Sequence, residues 1–331
     1  MKTKGSPPQV LWPVSFDDVL AARDRIRAHL PATPLRRYAP LDDAVGAGIG
    51  VLVKHENHQP TNAFKIRNAL SALGALGESD RRRGVVAAST GNHGQGLAYA
   101  GALLGVPVTI CVPVGNNPEK NAAIRGYGAR LIEEGSGYDD AIAVADRLAA
   151  RDGLRVVHST NERGVIAGAA TITLETLDQA PELDAMVLAV GGGSQAVGAL
   201  TVARALRPGL RVYGVQAAGA SAGHDSWHAR RPLRAAAADT FADGIATRST
   251  YELTFETLLE GLAGFVTVTD DEIAAAVRLL LSTTHNLVEG AGAAGLAGLL
   301  RLRDELAGRT VAIVISGANI DAATLRRVVS A

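Results

Sequence analysis

Short β-branched apolar runs alternate along the chain with longer Ala/Leu-rich stretches of helical period. The run at 51–53 precedes a helical pattern at 65–76, 84–88 precedes 93–104, 108–112 precedes 119–127, and 185–190 precedes 196–206. Two further runs, 211–215 and 311–315, share the near-continuous apolar character of strands buried on both faces of a parallel sheet. Strands and helices in alternation predict a doubly wound α/β architecture. Helix starts are signposted as well. Ser15-Phe-Asp-Asp18 opens a pattern carrying Val19, Leu20, Ile26 and Leu30, and Thr269-Asp-Asp-Glu272 is a capping box ahead of 273–281. Pro34 and Pro60 mark extended or turn segments, and the short run Ala235–Ala238 suits either helix or loop.

Composition narrows the class. At 331 residues the chain exceeds what one core usually serves, and no linker-like segment divides it. Two lobes sharing strands and crossovers are expected. Lys plus Arg and Asp plus Glu number 33 each, so no net charge draws the chain to nucleic acid or an anionic membrane. The expected partner is a small molecule or a second copy. A lone cysteine, Cys111, excludes an intrachain disulfide and a cysteine-based zinc cluster. Its apolar surroundings favour a buried strand residue over a reactive thiol. No apolar run reaches the roughly 18 residues of a membrane span, and residues 1–8 carry no hydrophobic signal region. The cytoplasm is the default compartment.

Four segments carry chemistry. Lys65 follows a turn, begins a helical pattern and is bracketed by Phe64, Ile66 and Leu70. Desolvation by such neighbours lowers a lysine pKa and makes the amine nucleophilic, although a solvated surface lysine fits the same local pattern. Ser89-Thr-Gly-Asn-His93 joins an apolar strand to a helix. Its hydroxyls and free N–H groups suit a carboxylate or phosphate, and equally an N-cap with a tight turn. Gly191-Gly-Gly-Ser194 has the same strand–turn–helix setting, which cradles a phosphate or makes a plain turn. It is neither a dinucleotide fingerprint nor a Walker loop. Ser316 follows the strand at 311–315. Ligands in α/β sheets gather at the carboxyl ends of strands, so convergence of these segments on one site is expected.

Taken together and in order, the motifs resemble those of the fold-type II pyridoxal-phosphate enzymes, within them the threonine dehydratase, serine dehydratase and serine racemase group. The resemblance runs from about Phe16 to Ile320 and rests on Lys54-His-Glu-Asn57, Gln59-Pro-Thr61, Phe64-Lys-Ile-Arg67, residues 89–95, the glycines 191–193 and Ser316-Gly. It implies a two-lobed, tryptophan synthase β-like architecture of parallel sheets flanked by helices. Residues 1–73 and 162–331 would form the large cofactor-binding domain and 74–161 a small mobile one. It further implies that Lys65 holds pyridoxal 5'-phosphate as a Schiff base and serves as base for the α-proton. Phe64 would lie against the pyridine ring, Asn92 at the ring hydroxyl, Gly191, Gly192, Gly193 and Ser194 around the phosphate, and Ser316 opposite the ring nitrogen. Ser89, Thr90 and His93 would hold the substrate carboxylate. Glu289 would sit near the ring edge, or be a plain helix-start carboxylate.

The implied activity is dehydration and deamination of a β-hydroxy α-amino acid, such as threonine, serine or a 3-substituted serine, to a 2-oxo acid and ammonia. A racemase or β-replacement enzyme is the alternative, with Thr90 leaving racemization open; a non-catalytic amino-acid-binding homologue is a third reading. A homodimer is the implied assembly. Several positions depart from the family pattern. Asn62-Ala63 and Asn68 stand for Gly-Ser and Gly, Ala169-Ala170 for Gln-Gly, Ser194 for a fourth glycine and Ala318 for a second one. An uncommon substrate and neutral drift both account for them. Gln216 and Ala222 replace the carboxylates of the divalent-cation site found in relatives, so no metal is expected there, although Asp225 lies close by. The sequence ends at Ala331, soon after the last strand and helix patterns, so feedback inhibition through a C-terminal regulatory domain is not expected.

Overall fold

The apolar runs form the interiors of two sheets. In the computed structural model, which describes residues 12–330, the strands in chain order are β1 Leu35–Arg37, β2 Gly50–His55, β3 Val85–Ala88, β4 Val108–Val112, β5 Arg130–Glu133, β6 Arg155–Val156, β7 Ala185–Ala189, β8 Arg211–Ala217, β9 Gly264–Val268 and β10 Thr310–Ile315. The six-stranded sheet runs β1-β2-β10-β7-β8-β9 and the four-stranded sheet β5-β4-β3-β6. All pairings are parallel except β1 with β2. Each strand expected from the sequence is present. The four that were not anticipated, β1, β5, β6 and β9, are the four sheet edges. An edge strand buries less of itself and tolerates charge, as Arg36, Arg37 and Arg130 show, so it lacks the continuous apolar signature.

Helices cover both faces of each sheet. In the larger sheet Val51, Val53, Val187 and Ile313 face Ile273, Val277 and Leu296, while Met186, Leu188, Ala312 and Val314 face Ile172, Val197 and Leu200. In the smaller sheet Val85, Ala87 and Ile110 pack with Ile66, Leu70 and Leu97; Val86 and Cys111 pack with Val144 and Leu148 on the other face. Cys111 is thus a buried strand residue, and desolvation pushes its thiol pKa up to about 11. Both capping boxes form, Ser15 with Asp18 and Thr269 with Glu272. Residues 235–238 are irregular.

The helix Lys65–Gly74 positions the site. It lies between Asn92–Leu104 and Arg163–Gln179, and two glycines set its distance from them. A Cβ on Gly96 would come within 2.8 Å of the Lys65 carbonyl oxygen, and one on Gly168 within 2.8 Å of Asn68 Cα. A buried ion network fixes the helix start. The Arg67 guanidinium donates to both oxygens of Glu56, at 2.7 and 2.9 Å, and to both of Glu175, at 2.7 and 2.8 Å. Lys54 adds a second cation, 2.9 Å from Glu175. Two cations and two carboxylates balance, so the network avoids the cost of a buried unpaired charge.

Candidate active site

Three strands of two different sheets deliver their carboxyl ends to one cleft of about 780 Å³. From β3 comes residues 89–93, from β7 the glycines 191–193 and from β10 Ser316; Lys65 enters at its helix start and Glu289 from the N-cap of Gly290–Arg301. Every candidate residue chosen from the sequence lines this cleft: Phe64, Lys65, Ser89, Thr90, Asn92, His93, Gly191–Ser194, Glu289 and Ser316.

The lysine is held by backbone stitching around it. Phe64 N–H donates to the Ser316 carbonyl at 3.0 Å, Ala318 N–H to the Asn62 carbonyl at 2.8 Å, and Ala63 bridges Gly317. Asn62 adopts φ +53°, a left-handed conformation that asparagine tolerates, which explains how it stands where relatives have glycine. Lys65 Nζ donates to the Ser159 carbonyl at 3.0 Å and lies 5.0 Å from the Phe64 ring centre. Desolvation brings its pKa down to about 8.

Two loops offer unpaired N–H groups. Ser89 Oγ accepts the Gly94 N–H at 2.8 Å and, more weakly, the Gly91 N–H at 3.4 Å, so its hydroxyl caps the helix that follows. The N–H groups of Thr90, Asn92 and His93 find no acceptor among the described residues. The His93 ring is buried, bonded to the Val157 carbonyl at 3.1 Å, and desolvation lowers its pKa to about 3; it is neutral. At the second loop the N–H groups of Gly192, Gly193 and Ser194 likewise have no acceptor among the described residues. The loop surface is bare because it must be. A Cβ on Gly191 would meet the Gly244 carbonyl at 2.8 Å, one on Gly192 the Thr160 methyl at 2.6 Å, and Gly193 sits at φ +99°.

Asn92 is fixed between two groups: its Nδ2 donates to Glu289 Oε1 and its Oδ1 accepts from Asn319, both at 2.7 Å. Glu289 Oε2 and the buried Gln195 Nε2 have no partner among the described residues. Burial, reinforced by Asp243, raises the Glu289 pKa to about 7. Orphaned polar atoms beside an N–H cradle and a desolvated amine fit an anionic, hydrogen-bonding cofactor that reacts with an amine.

Sequence reasoning missed the residues on the cleft's opposite rim. Lys120 pairs with Asp243, and Asp139 with Arg248. His158, Thr160 and Tyr251 also line the cleft. No motif flags these positions; their partners lie far away in the chain. At the position of the relatives' cation site, Gln216 Oε1 accepts the His224 N–H at 2.9 Å and Nε2 reaches Thr247 Oγ1 at 3.4 Å. Among the described residues no group of three or more His, Cys, Asp or Glu could hold a metal ion.

Comparison with known proteins bears on the cofactor. The model of the pyridoxal-phosphate dependent enzyme family matches residues 26–317. The L-threonine ammonia-lyase of Thermotoga maritima is 37% identical over 317 residues, 96% of this chain and 78% of the relative. The L-threo-3-hydroxyaspartate ammonia-lyase of Saccharomyces cerevisiae is 34% identical, covering 93% and 94% of the two chains. The structure of maize serine racemase superposes with a TM-score of 0.91 at 28% identity, over 96% of this chain and 98% of that one. Cleft geometry, family model and relatives agree, and the chain belongs to the fold-type II group of pyridoxal-phosphate dependent enzymes.

Proposed function

We propose that this enzyme is an ammonia-lyase that eliminates water from a β-hydroxy α-amino acid of the threonine, serine or 3-hydroxyaspartate class. Hydrolysis of the resulting imine takes up one water, so the net products are a 2-oxo acid and ammonia. The observation that carries the reading is the position of Lys65. Its amine is desolvated, has a pKa of about 8 and shares one cleft with two N–H cradles. The named relatives support the same activity.

Bound pyridoxal phosphate supplies the electron sink for breaking the bonds at the α carbon. Lys65 would be its point of attachment and, with its amine free, would serve as the base for the α-proton. A lowered pKa keeps a useful share of that amine neutral near pH 8. Gly191, Gly192, Gly193 and Ser194 would hold its phosphate through N–H groups and the helix N-terminus. Asn92, its orientation set by Asn319 and Glu289, would address the ring hydroxyl. Ser316 would face the ring nitrogen, Phe64 would flank the ring, and Glu289 would stand at its edge; all three line the cleft. Ser89 holds the carboxylate loop in shape while the N–H groups of Thr90, Asn92 and His93 bind the carboxylate. His93 contributes through its backbone, because its ring is neutral and committed to Val157.

Residues 74–161 act as the small mobile domain, closing over the substrate and excluding water. The assembly is a homodimer, and the exposed Leu281 and Leu287 are available to such an interface. The compartment is the cytoplasm; no described helix is long and apolar enough to cross a membrane. Racemization is the second reading, supported by the Thr90 hydroxyl lining the cleft and by the likeness to serine racemase.

The decisive experiment pairs a spectrum with a product assay. Holoenzyme should show a cofactor absorbance band and release 2-oxo acid from L-threonine, L-serine or L-threo-3-hydroxyaspartate. Lys65→Ala should lose roughly 10³-fold or more of that turnover. Full turnover in Lys65→Ala sinks the mechanism. A band with D-amino acid as the only product moves the assignment to racemization.

A further inference from the structure

After β6 the chain crosses the cleft floor as His158-Ser159-Thr160. The Ser159 carbonyl accepts the Lys65 amine at 3.0 Å, and Thr160 packs on Gly192 of the glycine loop. Residue 158 therefore lies close to the Lys65 amine, whose charge acts on its ring. Its ring has a fixed tautomer. Nδ1 accepts the N–H groups of Thr160, at 3.0 Å, and of Asn161, at 2.8 Å. A nitrogen receiving two donors carries no proton, so the proton of the neutral ring is on Nε2. Burial and the nearby Lys65 charge lower the His158 pKa and keep the ring neutral. Nε2 has no partner among the described residues, and His158 lines the cleft. The Tyr251 ring stands edge-on against the imidazole at 5.0 Å and 69°, which fixes its plane.

We propose that His158 reads the β-substituent of the substrate, its Nε2–H donating a hydrogen bond to an oxygen on the β carbon. A fixed donor with no acceptor of its own selects a β-oxygen over a β-hydrogen or a β-methyl. His158 is a specificity residue here; the carboxylate loop and Lys65 hold the rest of the substrate. The proposal deepens the lyase reading by naming what the site recognises, and it rests on Lys65 as the cofactor lysine.

The test compares substrates with their deoxy analogues on the holoenzyme. L-Serine and L-alanine differ by the β-hydroxyl, as do L-threonine and L-2-aminobutyrate, and binding of each is read from the change in the cofactor band. The unaltered enzyme should bind the hydroxylated member of each pair about 10-fold or more tightly. His158→Asn keeps an oxygen where Nδ1 accepts the backbone and removes the distal donor. It should lose about 10-fold or more of kcat/KM for L-serine, leave L-alanine binding unchanged and retain the cofactor band. An unchanged preference in His158→Asn overturns the proposal while leaving the lyase assignment intact. Equal affinity for serine and alanine in the unaltered enzyme overturns it too, even if the variant fails to fold. An enzyme that discriminates the β-hydroxyl through His158 yet forms no 2-oxo acid keeps this assignment and sinks the lyase reading.

Discussion

Gly192 has no room for a side chain, and that single fact tests the phosphate cradle. Its Cβ would fall 2.6 Å from the Thr160 methyl and 2.8 Å from Thr160 Cβ, on the surface where N–H groups stand free. Overpacking of this kind costs about 1–3 kcal/mol. Gly192→Ala is therefore expected to weaken pyridoxal phosphate binding roughly 10- to 100-fold, measured by titrating the cofactor band. Adding Thr160→Ala should recover part of the loss. Glu289 makes a pH prediction for the cofactor-free protein. Burial, then the Asp243 charge, raise its pKa from 4.5 to about 7 in the fold. A raised carboxylate pKa means the folded state holds the proton more tightly. Its stability contribution is full below the unfolded value and is lost as pH rises through about 7. The difference is on the order of 3 kcal/mol. Urea melts of the apoprotein should lose stability from pH 5 to pH 8, and Glu289→Gln should flatten that slope. An equal slope in the variant would assign the pH dependence to other groups.

Whole elements were legible in the sequence where their physics is local. β2, β3, β4, β7, β8 and β10 are buried on both faces and read as apolar runs; the edges β1, β5, β6 and β9 do not. The same division holds in the site. Lys65, residues 89–93, the glycines 191–193 and Ser316 stand at strand–helix junctions whose turn chemistry is written in consecutive residues. The Asp139–Arg248 and Lys120–Asp243 pairs, and the Arg67 network, join residues separated by loops whose course no local pattern fixes. His158 escaped notice because its tautomer depends on two N–H groups that only the turn after β6 supplies. Gln216 is the instructive case. Sequence marks it as the loss of a carboxylate, and the structure gives the amide a function of its own. Fully buried, it links the N–H of His224 to Thr247, which lines the cleft. Hydrogen bonds thus join the two segments directly. EDTA is expected to leave both kcat/KM and Tm unchanged. Gln216→Ala should cost about 1–3 kcal/mol of stability through the unpaired groups it leaves. A loss of activity in EDTA that magnesium restores would place a cation in this enzyme.

At the scale of the molecule, the cleft is closed on one rim by charges from both sheets' connections. Asp139, at the start of Tyr138–Asp152, meets Arg248, with Arg234 at 3.9 Å; Lys120, on Pro118–Gly126, meets Asp243. Lys120 is mostly buried, but Asp139, Arg234, Arg248 and Asp243 are exposed, and exposed pairs contribute only about 0–1 kcal/mol each. If residues 74–161 move as proposed, pairs placed across the mouth bias that domain between open and closed arrangements. Such a bias is within reach of salt, because the Debye length falls from about 10 Å at 0.1 M to about 3 Å at 1 M. If closure completes the carboxylate site, weakening the rim must raise KM while the chemistry in the closed state, and hence kcat, stays nearly constant. KM should rise about 2- to 5-fold over that salt range. Asp139→Asn should begin with the raised KM and respond less to salt, because Arg248 and Arg234 have lost the charge they share. If salt moves KM equally in both proteins, the effect belongs to substrate charge alone and the rim pairs do not govern closure. If kcat falls with KM constant, the pairs support the catalytic geometry directly, and residues 74–161 do not close as a separate mobile unit.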